Sequence, residues 1–186
     1  MKNKVLFITI LFVLFSCKSD PTPKPLGYLN LEYPLASYYQ FNSNCPFQIN
    51  VNKDAKVKLL NNCSMSIVYP KMKATIYIDY LPIENNNLKK MLQDAQKLTF
   101  EHVIKADEIS ELPFSNPFAK VYGMFYKVDG NAATNSQFYV TDSTKHFVRG
   151  SLYFYAKPNF DSIYPATSYI KNDMQYLMES FKWKSK

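Results

Sequence analysis

Asp142, Ser143 and His146 fall within the run "TDSTKH", and no other stretch of the chain comes nearer to nucleophilic catalysis. A serine hydroxyl attacks only when a base removes its proton, and an imidazole oriented by a carboxylate is a common base. Asp, Ser and Thr also gather in turns, where their side chains bond to the local backbone. That plainer reading is favoured here. The chain has 2 histidines, and each lies on an apolar face. His102 sits on a helical stripe, and His146 shares a strand face with Val148, Leu152 and Phe154. A hydrogen-bonded core histidine is the expectation for both. Nothing resembles HExxH, GxSxG, a P-loop or a dinucleotide loop. No carboxylate cluster suits calcium or zinc. The expectation is a protein without catalytic residues, metal or cofactor.

Cys17 suggests different chemistry. Before it, Val5 to Phe15 is apolar except for Thr9, and Lys2 and Lys4 stand at the front. As a helix this run spans roughly 16 Å, too short for a bilayer core of about 30 Å. A basic start, a short apolar run and a small residue, here Ser16, make a secretory signal. "LFSC" is similar to a bacterial lipobox, whose cysteine takes a diacylglyceryl group and becomes the first mature residue. The bulky Phe15 departs from the usual pattern. Residues 1–16 are thus expected to be the signal peptide. Residues 17–27, with three prolines in "KSDPTPKP", form a lipidated and extended tether. Residues 28–186 form one globular domain. One acyl chain anchors poorly, and two or three anchor stably.

For Cys45 and Cys63 three readings stand: a disulfide, metal ligands, or two buried thiols. Outside the cytoplasm a thiol pair tends to oxidise, and this loop length makes a bridge worth about 3 kcal/mol on the chain-entropy model. The metal reading lacks a nearby histidine. Between the cysteines, "PFQINVNKDAKVKLLNN" reads as two short strands around an "NKD" turn, so a bridge would cross-link a hairpin base.

These residues must be positioned by the elements around them. "CSMSIVYP" and "KATIYIDYL" alternate as strands, with Ala74, Ile76, Ile78 and Tyr80 on one face. "ENNN" offers an asparagine N-cap. A helix from Leu88 to about Val103 then carries Leu88, Met91, Leu92, Ala95, Thr99 and Val103 on one stripe. A Pro-containing connection follows. Three strands come next, "KVYGMFYKV", "SQFYVTD" and "KHFVRGSLYFYA", joined by "DGNAATN" and "DST" as hairpin loops. A last helix, about Asp161 to Ser180, buries Ile163, Ala166, Ile170, Met174, Leu177 and Phe181. Grouped strands joined by hairpins make an antiparallel sheet. The expected fold is therefore α+β, with about five to seven strands and two main amphipathic helices on one face or both. The order is similar to the Mog1/PsbP-like arrangement.

Composition agrees with a folded, aromatic-rich β domain: 47% hydrophobic, 16% aromatic and only 4 glycines in 186 residues. The net charge of +7 loses two when the signal is removed. Arg149 is the only arginine, and Lys53, Lys56 and Lys58 form the densest basic cluster inside the domain. Bidentate phosphate and base contacts favour arginine, so nucleic acid is not an expected partner. Arg149, Tyr153 and Tyr155 share a strand face with Phe147, a composition that suits an interface if no helix covers it.

Several long segments carry a family resemblance. They are "LGYLNLEYP", "YPKMKATIYIDY", "MLQDAQKLTFEHVIKADEI", "KVYGMFYKVDGNAATNSQFYVTDSTKHFVRGSLYFYAKPNFDSI" and "YIKNDMQYLMESFKW". Together they resemble the gliding motility lipoprotein GldD family, most specifically from Val121 to Ile163. The resemblance implies a Bacteroidota cell-envelope lipoprotein required for gliding and for the linked type IX secretion system. It also implies association with the integral membrane protein GldE and with other gliding lipoproteins. Only Cys17 carries over as a functional position, so the covalent lipid is the one attached group implied. "DST" and "DSI" resemble O-glycosylation sites of that phylum, with Ser143 and Ser162 as acceptors. Lys18 is not the aspartate that retains lipoproteins at the inner membrane in enteric bacteria, which leans toward the outer membrane without deciding it, and the only partial match of "CKSD" to the phylum's surface-export signal points to a periplasmic face. Three classes then compete. An assembly factor would show an exposed aromatic patch, and a lipid- or glycan-binding module would show a pocket. A hydrolase would place Ser143 within hydrogen-bond reach of His146.

Overall fold

The computed structural model describes residues 33–101, 106–130, 134–155 and 160–184. The lipobox, the tether, His102 and Val103 lie outside the described residues, as do the side chains of Asp161 and Ser162.

Alternating burial builds the strands. In β4 (Met65–Tyr69) and β5 (Ala74–Pro82), Met65, Ile67, Tyr69, Ala74, Ile76 and Ile78 are buried, while Tyr77 between them is exposed. These strands join β3 (Lys56–Leu59), β6 (Ala106–Asn116), β7 (Val121–Gly130), β8 (Thr134–Thr141) and β9 (His146–Phe154). Together they make one seven-stranded sheet in the order β3-β4-β5-β9-β8-β7-β6. Every pairing in it is antiparallel. A second sheet, β1-β2-β10, consists of β1 (Tyr38–Phe41), β2 (Phe47–Asn52) and β10 (Lys182–Trp183). With helices α1 (Leu88–Glu101) and α2 (Phe160–Glu179), the architecture is α+β, as expected.

The two helices take opposite faces of the large sheet. Gln137 accepts a hydrogen bond from Thr99 of α1, whereas its neighbour Phe138 packs on Phe181 just past α2. Adjacent residues of a strand point to opposite sides, so α1 and α2 sandwich the sheet. The α2 side holds the core, with Ile170, Met174, Leu177 and Phe181 buried against Ile76, Phe138, Val148 and Leu152. Phe47, Ile49 and Val51 of the small sheet close the same core. Four large side chains at about 1.5–3 kcal/mol each make α2 the main hydrophobic anchor. Helix α1 sits more lightly: among the described residues of its apolar stripe only Ala95 and Thr99 are buried. Asn87 caps it, its carbonyl taking the first helical bond from Met91 while its side chain accepts from the Glu84 amide.

Two expectations are corrected. The segment between Cys45 and Cys63 is not a hairpin, because β2 pairs with β1 and β10 while β3 pairs with β4. The disulfide is present, with Cα atoms 5.5 Å apart, and it links the approach to the small sheet with the turn entering β4. The Pro-containing connection is instead the edge strand β6. Pro113 is tolerated there because an edge strand has one side with no ladder to complete. Beyond α2 the chain turns into β10, which adds to β2 through Gln48 and Phe47.

Candidate functional site

Strand β9 runs between two surface features. At its far end Tyr153 and Tyr155 meet Tyr77 of β5. The Tyr77 and Tyr153 rings pack edge to face at 5.8 Å, and the hydroxyls of Tyr77 and Tyr155 are hydrogen-bonded. Tyr155 is 63% exposed. One residue pair along, Arg149 Nε donates to Asp79 Oδ2 at 2.9 Å, and both side chains remain partly open to solvent. Phe147 leaves this surface: it is 1% exposed and stacked on Tyr139. Helix α1 is the reason the face divides. Ala95, Leu98 and Thr99 pack near Arg149, Gln137 and Tyr139, so the helix covers the middle and leaves the tyrosine end bare. Burial beneath this cover, with Tyr139 and Glu111 nearby, pushes the Tyr126 hydroxyl up to about 12.

At the other end lies the "TDSTKH" loop. Asp142 accepts from the backbone amides of Thr144, Lys145 and His146 and from the Thr144 hydroxyl. Burial alone would raise its carboxyl, but these four donors outweigh that and hold it below the ordinary range. Ser143 sits at the tip with φ 65°, its amide donating to Thr141 Oγ1. The side chain of Asp142 therefore builds the turn. His146 is half-buried rather than a core residue: Nδ1 faces the Tyr80 hydroxyl at 2.8 Å, and its ring stacks on Trp183 at 5.1 Å. Both rings line a groove of about 890 Å³, which Lys120, Lys145, Lys182 and Lys184 also edge. Reasoning from sequence missed this groove. Its signal was the one tryptophan, set among lysines at the end of the chain.

A third constellation is enclosed. Asp173 of α2 is 3% exposed and accepts from Tyr38 at 2.6 Å, Asn52 at 2.5 Å and Tyr69 at 3.1 Å. Asn52 also donates to the Tyr169 hydroxyl. Burial pushes the Asp173 carboxyl up despite these donors, and burial together with the carboxylate pushes Tyr38 and Tyr69 up. Its sequence signal was an aspartate on the apolar stripe, three residues after Ile170 and four before Leu177. The arrangement binds α2 to three strands and offers no open site.

Comparison with known proteins gives these features a setting. The family model for the gliding motility lipoprotein GldD matches residues 18–183. The chain belongs to this family. No curated protein matches it. As a GldD-family lipoprotein it takes part in gliding motility, is anchored to a membrane of the cell envelope, and works with the motility machinery. The match begins at the residue after Cys17 and takes in every described residue except Lys184. Among the described residues no helix is long and apolar enough to cross a membrane. Also among them, no group of three or more His, Cys, Asp or Glu side chains could hold a metal ion. Of the two glycosylation candidates, Ser143 is exposed on its turn, and the backbone of Ser162 lies in the first turn of α2.

Proposed function

We propose that this GldD-family chain is a non-enzymatic assembly component of the gliding machinery and of the linked type IX secretion system. In this reading Cys17 carries the lipid, and the domain faces the periplasm. The observation that carries the reading is the exposed Tyr77–Tyr153–Tyr155 cluster beside the Arg149–Asp79 pair. Tyrosine and arginine dominate interface hot spots because they bury large, rigid, partly polar area at little entropic cost. The partner this reading names is the integral membrane protein GldE, which the family resemblance implies. The tether gives a reach of roughly 3 nm at about 3.1 Å per residue. Confinement to one membrane raises the effective concentration of a weak partner.

The test is co-purification from cells expressing tagged chain. An Arg149→Ala/Tyr153→Ala double variant that stays folded should lose GldE and other gliding components, and full retention would sink the interface. A strain whose only copy is Cys17→Ala should accumulate stable protein and fail to glide. Normal gliding would shift weight to a soluble role. The alternative function, a module that binds a lipid or glycan, draws on the groove at Trp183.

A further inference from the structure

That groove lies at the start of β9, nine residues from Tyr155 and so roughly 30 Å away at about 3.3 Å per residue. It is also reached from the other side of the sheet, because His146 and Tyr153 have opposite parity along the strand. It is therefore a separate surface from the tyrosine cluster.

The charge of the groove is one-sided. Lys120, Lys145 and Lys182 are exposed along it, and Lys184 lies partly buried with its ammonium donating to the Ser43 carbonyl. The one carboxylate in the lining, Asp142, is occupied by four donors of its own loop. Three ammonium groups thus face the groove without a carboxylate partner among the described residues. Low-dielectric walls around charges of one sign concentrate counter-ions.

The floor is aromatic and built. The Trp183 indole donates to the Lys120 carbonyl at 3.0 Å, which fixes the ring, and its body packs on Phe181 and edge-on against Phe47. His146 stacks on it and is held through Nδ1 by Tyr80, while Nε2 has no partner among the described residues. When the Tyr80 hydroxyl donates to Nδ1, the imidazole proton resides on Nε2 as a further donor. Phe118 stands fully exposed at the rim. Lysines suit a compact anion as point charges, and exposed aromatic rings suit the C–H faces of a sugar ring.

We propose that this groove binds a sugar phosphate, with the phosphate between Lys145 and Lys182 and the sugar ring against the Trp183–His146–Phe118 side. The shared chemistry has two sources, a soluble phosphorylated glycan and the headgroup of a glycolipid. The sole tryptophan is the reporter.

The experiment uses the full-length lipoprotein in phosphatidylcholine nanodiscs at low salt, with tryptophan emission recorded. Glucose 1-phosphate should change emission saturably, and glucose should not. A Lys145→Ala/Lys182→Ala variant, altered only at exposed side chains, should raise the midpoint at least tenfold with unchanged circular dichroism. If lipid A placed in the discs produces the change at lower concentration than glucose 1-phosphate, the source is a glycolipid. The reverse order assigns a soluble glycan. Four results overturn the proposal: no saturable change with either probe, an equal midpoint for glucose, an equal midpoint for inorganic phosphate, or binding indifferent to the double variant.

Discussion

Asn52 on β2 donates its side-chain amide to Asp173 on α2 at 2.5 Å, across 121 residues of sequence. With Tyr38 and Tyr69 giving to the same carboxylate, this contact joins the small sheet, the large sheet and the deepest helix at one point. A buried carboxylate persists only where donors replace its lost water.

Replacing Asp173 with alanine removes the acceptor shared by three donors: buried Tyr69 is left unpaired, Asn52 keeps only Tyr169, and half-buried Tyr38 turns to solvent. The expected cost is about 2–4 kcal/mol, read as a lower urea midpoint with an unchanged slope. Tyr38→Phe removes one donor and leaves the acceptor two others, so its cost should be about 1 kcal/mol.

Asp173 and Asp142 should impose opposite pH dependences. The folded-state pKa of Asp173 is raised, so its contribution is fully present below the ordinary carboxylate value of about 3.9 and is lost as pH rises through the folded value. That of Asp142 is lowered, so its contribution is present above about 3.9 and is lost as pH falls through the folded value. Melting temperatures from pH 3 to 8 check this. The advantage of wild type over Asp173→Asn should shrink as pH rises, and its advantage over Asp142→Asn should grow.

Gly150 lies opposite Phe138 on β8, and a Cβ there would stand 2.2 Å from the Phe138 ring. The phenylalanine covers the bare backbone of the glycine. Gly150→Ala should cost about 1–3 kcal/mol through overpacking. Adding Phe138→Leu should recover part of that loss, so the two changes should be non-additive in a denaturation cycle.

The Cys45–Cys63 bridge closes a loop whose strands go to different sheets. Cys45→Ser/Cys63→Ser should lower stability by about 3 kcal/mol. Because the bridge sits between the sheets, protection of β1 and β2 amides from hydrogen exchange should fall further than that of β8 and β9.

Much was legible because it rests on local pattern. The apolar stripe of α2 and the alternation of β5 each follow from a fixed residue period, and burial confirms Ile170, Met174, Leu177, Ile76 and Ile78 in place. The β7–β8 and β8–β9 hairpins followed from turn-forming residues between strand-like runs. The bridge could be anticipated from the spacing of two cysteines, although its place could not. Strand β6 was hidden by Pro113, since local rules cannot tell an edge position from a central one.

By itself the sequence determined the α+β class, the two helices, most of the strands and, through the long family segments, the setting in gliding motility. Tertiary structure decided where equivalent-looking pieces go. It sent β2 and β3 to different sheets, divided the face of β9 between α1 and solvent, and brought Trp183 to His146 and Asp173 to Asn52. Such contacts depend on which distant surfaces bury one another. No residue period encodes that choice, because it is settled only when the whole core closes.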